Sequence, residues 1–497
     1  MRAAFLLGLG FILATRGALA DGAAAKVPTF SVENLAVDGR VVAVDAADLD
    51  GDGKLDLIAA VLKGEKQQTV RTLAVFWNRG GSFAAKPDLI VPLDADVCAF
   101  DLADVDGKAG AELLIVTASG IRAHAFVGRA IGPTIDLLAQ PTLFLRPASD
   151  QLLRYRVAQA LGSHGEMSLL VPGMGTLSIY QRDERGFTRR SQLDVDMEMA
   201  VQGGSADGVS ITASFPAMRT ADIDGDGRLD LILVKSDEAR GYLQKADGSF
   251  PSKPNFTHLF GVAEKAEGNV SVGGGPDVRF VDVDGDGLAD AVITVTKTTG
   301  ITSADTSVYL FFGSPRGFAA KPDQTIRTEG ASFTTTQIAD VTGDGHPDLI
   351  LPSFKLGIMA IIRMLTSGSA KVKFLLYPFG SNRRFAEKPS AERWLSFDVN
   401  LEGGSDMQAH NIDADFFGNK QHNLAFGTGE GELSLFGAGE PGHLFAEDPM
   451  AKVSVRAFGA LAPFDLDGSG RSDLVLHYPH THAHESELAV VHNHGVK

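Results

Sequence analysis

The sequence predicts an all-β fold made of repeated four-stranded units. An acidic ten-residue motif recurs at nearly constant spacing, and a phenylalanine motif recurs with the same period but out of phase. The segments between them are short, often β-branched and bounded by Gly, Pro and Asp, which is typical of strands. About eight four-stranded units of this length are typical of a β-propeller.

The acidic motif defines the units. It reads DLDGDGKLDL, DVDGKAGAEL, DIDGDGRLDL, DVDGDGLADA, DVTGDGHPDL and DLDGSGRSDL, starting at residues 48, 104, 222, 282, 340 and 465. Two eroded copies fill the gaps: ALGSHGEMSL from residue 160, and DADFFGNKQHNL from residue 413 with one extra residue. Successive units are therefore 52 to 73 residues long.

The phenylalanine motif, as in GSFAAKPD, follows a short apolar segment in most units. Its members are Phe83, Phe250, Phe318, Phe385 and Phe445, with Phe187 as a weak copy. We expect the first strand of a unit to enter the acidic loop and the second to leave it. The third strand then precedes the phenylalanine motif and the fourth follows it.

The ends of the chain predict how the ring closes. Only two strands follow the last acidic motif, whereas one spare strand, TFSVENLAV from Thr29, precedes the first. That strand can complete the last blade as its outer strand, which leaves no free sheet edge at the junction. We expect eight blades, or seven if the unit near Ala160 is not a full blade.

The acidic loops have the donor spacing of calcium sites. Counted from the first Asp, side-chain oxygens fall at positions 1, 3, 5 and 9, position 7 offers its backbone carbonyl, and the glycines permit left-handed turns. Hard oxygen donors in flexible geometry suit calcium, and the Asp/Gly-rich alternative is a turn without metal. We predict four to five structural calcium ions, held by Asp48, Asp50, Asp52, Lys54 and Asp56; Asp222, Asp224, Asp226, Arg228 and Asp230; Asp282, Asp284, Asp286, Leu288 and Asp290; Asp340, Thr342, Asp344, His346 and Asp348; and Asp465, Asp467, Ser469, Arg471 and Asp473.

The remaining loops are not expected to bind calcium. Lys108 replaces the third carboxylate after Asp104, the loop at Ala160 has no carboxylate at a ligand position, and the loop at Asp413 keeps two aspartates. A helix–loop–helix site would need a Glu at position 12, where the first loop has Ala59.

The D-x-D-G-D-G-x-x-D-L loop entering a strand, together with the G-x-F motif between units, resembles the FG-GAP/VCBS repeat family. These are the repeats of integrin α-subunit propellers and of many exported bacterial proteins. The resemblance covers nearly the whole chain after the N-terminal segment. It implies propeller blades with calcium in the hairpin between the first and second strands, and little about activity.

The N-terminus predicts export. Arg2, the apolar run Ala3–Ala14 and the small-x-small Ala18–Ala20 indicate a secretory signal peptide over residues 1–20, followed by a linker over 21–28 and the propeller over 29–497. A secreted or periplasmic location follows. The single cysteine, Cys98, excludes an internal disulfide and is expected to be buried and inert.

The sequence favours a binding module over an enzyme. A net charge of −17 argues against a nucleic-acid partner, no later apolar run is long enough for membrane insertion, and no catalytic motif is present. Trp77 and Trp394 are expected to pack rather than to bind sugars. We expect a monomeric adhesion or interaction module for a protein or glycan, with a polysaccharide lyase or hydrolase on the same scaffold as the alternative.

Two features point to the propeller face opposite the calcium hairpins. The longest connections, from Glu198, Val262 and Asp398, are expected there and are the predicted ligand-binding loops. A histidine tract also opens there as an alternative transition-metal site or a plain polar loop: His477, His480, His482, His484, His492 and His494.

Overall fold

The computed structural model describes residues 27–64, 69–144, 152–162, 165–205, 208–262, 270–272, 276–299, 303–329, 336–354, 357–398, 409–439 and 443–496. The predicted signal peptide and residues 21–26 of the predicted linker lie outside the described residues. So do most of the connection from Val262 and nearly all of the connection from Asp398.

Eight small sheets form the blades of the propeller, and the main strands of blades 1 to 7 lie in chain order within each sheet. The N-terminal strand is β1 (Pro28–Ala36). Blade 1 follows with β2 (Arg40–Ala47), β3 (Asp56–Lys63), β4 (Val70–Phe76) and β5 (Leu89–Pro92). Blade 2 contains β6 (Val97–Ala103), β7 (Glu112–Thr117), β8 (Gly120–Val127), β9 (Ala130–Leu138) and β10 (Leu153–Arg154).

Blade 3 confirms that the eroded unit near Ala160 is a complete blade. It contains β11 (Ala158–Ala160), β12 (Met167–Gly173), β13 (Thr176–Asp183) and β14 (Gly186–Asp194). A separate hairpin follows, β15 (Glu198–Ser205) and β16 (Gly208–Ser214). Blade 4 contains β17 (Ala217–Ala221), β18 (Asp230–Lys235), β19 (Glu238–Tyr242) and β20 (Phe256–Leu259).

Blades 5 and 6 carry additional elements. Blade 5 contains β21 (Val270–Val272), β22 (Asp277–Val281), β23 (Asp290–Thr299), β24 (Ser303–Phe311) and β25 (Gln324–Glu329). Blade 6 contains β26 (Gln337–Ala339), β27 (Asp348–Ser353), α1 (Ile358–Ser367), β28 (Ser369–Tyr377), β29 (Phe379–Gly380), β30 (Arg384–Phe385) and β31 (Ala391–Asp398).

Blade 8 closes the ring as predicted. Blade 7 contains β32 (His410–Ala414), β33 (Asn423–Gly429), β34 (Glu432–Phe436) and β35 (Ala451–Ser454), and blade 8 contains β36 (Ala460–Phe464), β37 (Asp473–His477) and β38 (Glu487–Val496). The outer strand of blade 8 is β1, which pairs antiparallel with β38 from Pro28↔Val496 to Ala36↔Glu487.

Eight buried apolar clusters, one between each pair of neighbouring blades, join the described sheets into the ring. Each cluster draws its side chains from two consecutive blades, and the cluster between blades 8 and 1 contains Leu35, Leu57, Phe83 and Leu488. Phe83, Phe250, Phe385 and Phe445 of the phenylalanine motif each pack against the preceding blade. The phenylalanine of the motif therefore packs in the apolar interface between neighbouring blades, which explains why the motif recurs with the blade period.

Four elements were not predicted. No helix was predicted from the sequence, whereas α1 occupies the connection between the second and third strands of blade 6. The insertion from Glu198 is a paired hairpin rather than a loop. Strand β21 extends blade 5, and β10 pairs parallel to β6 on the inner edge of blade 2. Within the described residues α1 is the single helix, and no helix there is long and apolar enough to cross a membrane.

Candidate metal centres

The acidic loops lie in the hairpins between the first and second strands, at one end of the ring, which we call the loop face. Position 1 organises each hairpin by accepting backbone hydrogen bonds. In blade 1, Gly51 N donates to Asp48 Oδ1 at 2.8 Å and Gly53 N donates to Asp48 Oδ2 at 2.9 Å. Both glycines are left-handed, with φ of 76° and 84°, a conformation that side chains disfavour. Blades 4 and 5 repeat this arrangement at Asp222 and Asp282.

Position 9 ties the loop to the third strand of its blade. Asp56 is 1% exposed, and its carboxylate accepts hydrogen bonds from Leu49 N at 3.1 Å and from Asn78 N at 2.7 Å. Asp230, Asp290 and Asp473 make the same pair of contacts in their blades. A carboxylate oxygen has two acceptor sites, so these backbone bonds still leave lone pairs for a cation.

Three carboxylates meet in each of the three intact loops. Positions 1, 3 and 9 each offer an oxygen, and these oxygens lie within 4.8 Å of one another in the sets Asp48, Asp50 and Asp56; Asp222, Asp224 and Asp230; and Asp282, Asp284 and Asp290. Ligands about 2.3–2.6 Å from one calcium ion are at most about 5 Å apart, so the spacing fits that ion.

Position 5 does not join these carboxylates, although the sequence predicted it as a ligand. Asp52 Oδ2 lies 3.7 Å from Arg129 Nη2, Asp286 Oδ2 lies 3.2 Å from Arg383 Nη2, and Asp226 pairs with Arg228. An arginine thus holds the position-5 carboxylate in every intact loop.

Two of these arginines come from the next blade. Arg129 lies in the turn between β8 and β9, and its Nε also donates to Asp50 Oδ2 at 2.7 Å. Arg383 lies in the β29–β30 turn and also pairs with Asp284. The two guanidinium groups lie over equivalent aromatic rings, 5.8 Å from Trp77 and 5.0 Å from Phe312. Both arginines have a positive φ, 65° and 57°.

Position 7 follows the second glycine in each loop. Its N–H donates to the position-5 side chain: 3.0 Å from Lys54 N to Asp52, 2.9 Å from Arg228 N to Asp226, 3.0 Å from Leu288 N to Asp286, 2.9 Å from His346 N to Asp344 and 3.4 Å from Arg471 N to Ser469. Ligation through the position-7 carbonyl stays a prediction.

The loops at Asp340 and Asp465 keep the hydrogen bonds of position 1 but not the cluster of three carboxylates, and at position 9 Asp473 keeps both contacts, whereas Asp348 accepts only from Val341 N and Thr342 N of its own loop. Asp340 and Asp465 accept from the sixth-position glycine N at 2.9 Å in each case. Neither loop contributes to the groups of three ligands found among the described residues. At Asp340 the reason is chemical, since position 3 is Thr342. The loop at Asp104, for which no calcium was expected, does gather Asp104, Asp106 and Glu112, although Lys108 Nζ pairs with Asp106 at 2.6 Å.

Blade 7 shows a different register from the one read in the sequence. Asp415, not Asp413, accepts from Gly418 N at 2.7 Å and Lys420 N at 2.6 Å, and Phe416 N donates to Asn423. Asp415 is therefore position 1, Asn423 is position 9, and the loop contains no extra residue. Position 3 is Phe417, which supplies no ligand oxygen.

Consecutive loops are also hydrogen-bonded to one another. The backbone N–H at position 8 of one loop donates to the position-1 carbonyl of the loop before it. The distances are 2.7 Å for Ala111 to Asp48, 2.9 Å for Ala289 to Asp222, 3.0 Å for His422 to Asp340 and 2.7 Å for Ser472 to Asp415. A cation that orders one loop would therefore also position the next.

The position-9 carboxylates hold their protons more tightly than ordinary aspartates. Burial raises the pKa of Asp56, Asp290, Asp348 and Asp473 to about 6 and also raises the pKa of Asp230. The neighbouring carboxylates of the same loop add to the rise, while the backbone N–H donors oppose it.

Two buried carboxylate oxygens without hydrogen-bond partners indicate that the acidic loops can accommodate a cation. Asp224 Oδ1, at position 3 of blade 4, and Asp348 Oδ1, at position 9 of blade 6, are buried without a hydrogen-bond partner among the described residues. A buried oxygen without a partner is costly, and a bound cation would satisfy it. The donor set and these two atoms fit calcium.

The histidine tract does not assemble a metal site. His482 Nδ1 lies 3.2 Å from Glu485, His484 Nδ1 lies 2.8 Å from Glu487, and His494 Nε2 lies 2.7 Å from Ser31 Oγ. His492 is buried and pairs with Glu33 at 2.9 Å. None of the groups of three metal ligands found in the described part of the chain includes a histidine, so the transition-metal alternative gains no support.

A small cleft lies along the boundary between blades 1 and 2. Its volume is about 200 Å³, and it is lined by apolar residues, among them Leu93, Leu113 and Ile131, and by polar groups of Asp94, Arg122, His124 and Thr134. Cys98 and Trp77 are buried, whereas Trp394 is 55% exposed on the edge strand β31, where Lys373 Nζ lies 5.4 Å from its ring.

The family model described as an FG-GAP-like repeat matches residues 48–115, 222–293 and 282–351. An Agrocybe aegerita lectin that recognises non-reducing terminal N-acetylglucosamine is 15% identical, with 76% of this chain and 96% of the lectin covered and a TM-score of 0.40. The Dos1 propeller is 8% identical, with 94% and 95% covered and a TM-score of 0.44.

A third structure, BBS1N in complex with ARL6DN, is 10% identical, with 94% of this chain and 97% of that chain covered and a TM-score of 0.35. At such identities and TM-scores, these likenesses support no inference about a ligand.

Proposed function

Because this chain is an FG-GAP-repeat β-propeller, we propose that it is a calcium-stabilised binding module without enzymatic activity. The supporting observation is the carboxylate triad at positions 1, 3 and 9, which recurs with the same geometry in blades 1, 4 and 5. Calcium would supply charge neutralisation there. The chain's own residues position the ligands through the backbone bonds to positions 1 and 9.

Calcium removal tests the first half of this proposal. A site at 100 times its dissociation constant adds about 2.7 kcal/mol to the folded state. We expect chelation to lower the melting temperature clearly, and titration calorimetry to show saturable calcium binding by the chelated protein. An unchanged melting temperature in protein shown to be free of calcium would contradict the proposal.

Two matched variants connect the effect to the loops. Asp224→Asn removes a charge at position 3 of blade 4, where an oxygen is buried without a partner, and should abolish one binding site. Asp415→Asn makes the same change in the blade 7 loop, where Phe417 stands at position 3. It should lower stability without changing the number of calcium ions bound.

The opposite face is the proposed ligand face. The β15–β16 hairpin joins the end of blade 3 to the start of blade 4, at the end of the ring away from the acidic loops, so a ligand bound there would leave calcium a structural role. A glycan array tested in parallel with a set of polysaccharide substrates separates binding from catalysis. Binding without turnover supports the module, whereas product release supports the lyase or hydrolase alternative.

We further propose that the protein acts outside the cytoplasm. The N-terminal segment has the composition of a cleaved signal, and structural calcium suits the calcium levels of that environment. N-terminal sequencing of the mature protein should begin at Asp21. An intact Met1 in the functional protein would contradict export by this route.

A further inference from the structure

Helix α1 is an insertion that blade 6 does not need. Strands β27 and β28 pair directly, from Leu349↔Tyr377 to Ser353↔Lys373. In blades 3 and 4 the same connection is a tight turn, between Gly173 and Thr176 and between Lys235 and Glu238. The segment between β27 and β28 therefore projects from the opposite face without contributing to the sheet.

The helix exposes large apolar side chains along one side. Met359, Ile362 and Leu365 are 75%, 45% and 69% exposed and are spaced three residues apart, so they form one stripe. Exposed apolar groups arranged this way mark a surface that another apolar phase covers.

The stripe has basic neighbours, although the protein is acidic. No acidic residue occurs from residue 349 to residue 386, and the basic residues of this span that lie near α1 are Arg363, Lys371 and Lys373, because Arg383 pairs with Asp284 at the loop face. Arg363 lies on α1 itself, and both Arg363 and Lys371 are exposed.

Two carboxylates of blade 6 itself are neutralised or turned away, and Glu329 of blade 5, whose carbonyl accepts from Ser353 Oγ at 3.1 Å, is the acidic residue next to this connection. Glu392 lies 3.3 Å from Lys373 Nζ. The Asp398 carboxylate faces blade 7, where its Oδ2 would lie 3.5 Å from a Cβ placed on Gly429. Lys373 also lies 5.4 Å from the ring of Trp394, an exposed aromatic residue on the outer strand β31.

We propose that α1 docks this propeller onto the surface of an anionic lipid bilayer. A short apolar stripe flanked by Arg and Lys, with a tryptophan nearby, matches the chemistry of a helix that lies in a membrane interface. Anionic headgroups complement Arg363 and Lys371, whereas the acidic remainder of the chain would be repelled by them. The protein would rest on the bilayer through α1, at the blade 6 side of the opposite face, and would not cross it.

Vesicle co-sedimentation tests this proposal. The chain from Asp21 onward, which contains all eight blades, is mixed with two kinds of vesicle. One is phosphatidylcholine alone, and in the other about a third of the lipid is phosphatidylglycerol. We expect binding to the anionic vesicles only, weakened by added salt because headgroup attraction is screened.

Matched variants assign the effect to α1. Met359→Glu and Leu365→Glu should each weaken binding at least fivefold, and Arg363→Glu should do the same. Leu259→Glu makes the same kind of change at a residue that is 64% exposed on the outer strand of blade 4 and should have no effect. All four positions are exposed, so the fold should persist in every variant.

Three results would overturn the proposal. These are no binding to anionic vesicles, equal binding by the α1 variants, or equal binding to neutral vesicles. A concentration-dependent dimer that Met359→Glu and Leu365→Glu abolish would instead assign the stripe to a second copy of the chain.

Discussion

At the scale of single residues, the position-9 aspartates both anchor the hairpin to the blade and contribute an oxygen to the carboxylate cluster. Asp56 bridges the hairpin to the third strand by backbone hydrogen bonds, and its carboxylate faces Asp48 and Asp50. The ligand spacing of positions 1, 3 and 9 could be read from the sequence, because nearby residues in a tight loop must converge. The burial of Asp56 could not, since it depends on neighbouring strands and on the next blade.

The raised pKa of these aspartates predicts how stability depends on pH. An unfolded aspartate titrates near pH 4, whereas Asp56, Asp290, Asp348 and Asp473 titrate at about 6 in the folded protein. Between these values the folded state binds more protons, so these groups make the calcium-free protein less stable as pH rises through that window.

Calcium binds the ionised form and should reverse this trend. We expect the rise in melting temperature on adding calcium to be larger at pH 7 than at pH 5. Asp290→Asn, which cannot ionise at that position, should show a smaller difference between the two pH values. A calcium effect that grows toward low pH would contradict the assignment.

At the scale of elements, the acidic hairpins form an interlocked series. The position-8 N–H of one loop donates to the position-1 carbonyl of the previous loop in four pairs of neighbouring blades. Arg129 adds ion pairs across one of these boundaries, between blades 1 and 2, and Arg383 adds ion pairs across a further one, between blades 5 and 6. No pattern in the sequence predicts these arginines, because only the ring brings Arg129 next to Asp50, 79 residues earlier.

Removal of these arginines should strengthen calcium binding. Arg129→Gln and Arg383→Gln each delete a cation that competes with calcium for positions 3 and 5. Because exposed ion pairs contribute only about 0.2–1 kcal/mol, we expect the dissociation constant of one site to fall up to about fivefold.

A third arginine is the control. Arg316 lies in the equivalent turn of blade 5, between β24 and β25, and forms no ion pair within the described ranges. Titration calorimetry of Arg316→Gln should match the wild type. Weaker calcium binding by Arg129→Gln would show that the arginine supports the site instead of competing with the ion.

At the scale of the whole molecule, stability depends on closing the ring. Strand β1 pairs with β38 along its length, and Glu33 Oε2 accepts from Phe83 N of blade 1 at 3.1 Å while pairing with His492. The apolar cluster between blades 8 and 1 is completed by Leu35 from β1. The first and last strands of the chain thereby share one interface.

A cavity at this junction should weaken the entire propeller. Leu35 is 1% exposed, and Leu35→Ala should lower the free energy of unfolding by about 2–4 kcal/mol. Chemical denaturation measures the loss, and Leu259→Ala, at an exposed leucine, should change it by less than about 0.5 kcal/mol. A neutral Leu35→Ala would mean that β1 is dispensable for closure.

The sequence by itself determined the repeat, the strand order within each blade, the closure by β1 and the spacing of the acidic loops. All of these follow from local spacing, because ligands and strands only a few residues apart are constrained by the chain itself. Three features were decided only by the tertiary structure. They are the start of the blade 7 loop at Asp415, the pairing of the position-5 carboxylates with arginines instead of with the other loop carboxylates, and the exposed helix α1. These features depend on contacts between blades or on solvent exposure, which periodicity does not encode.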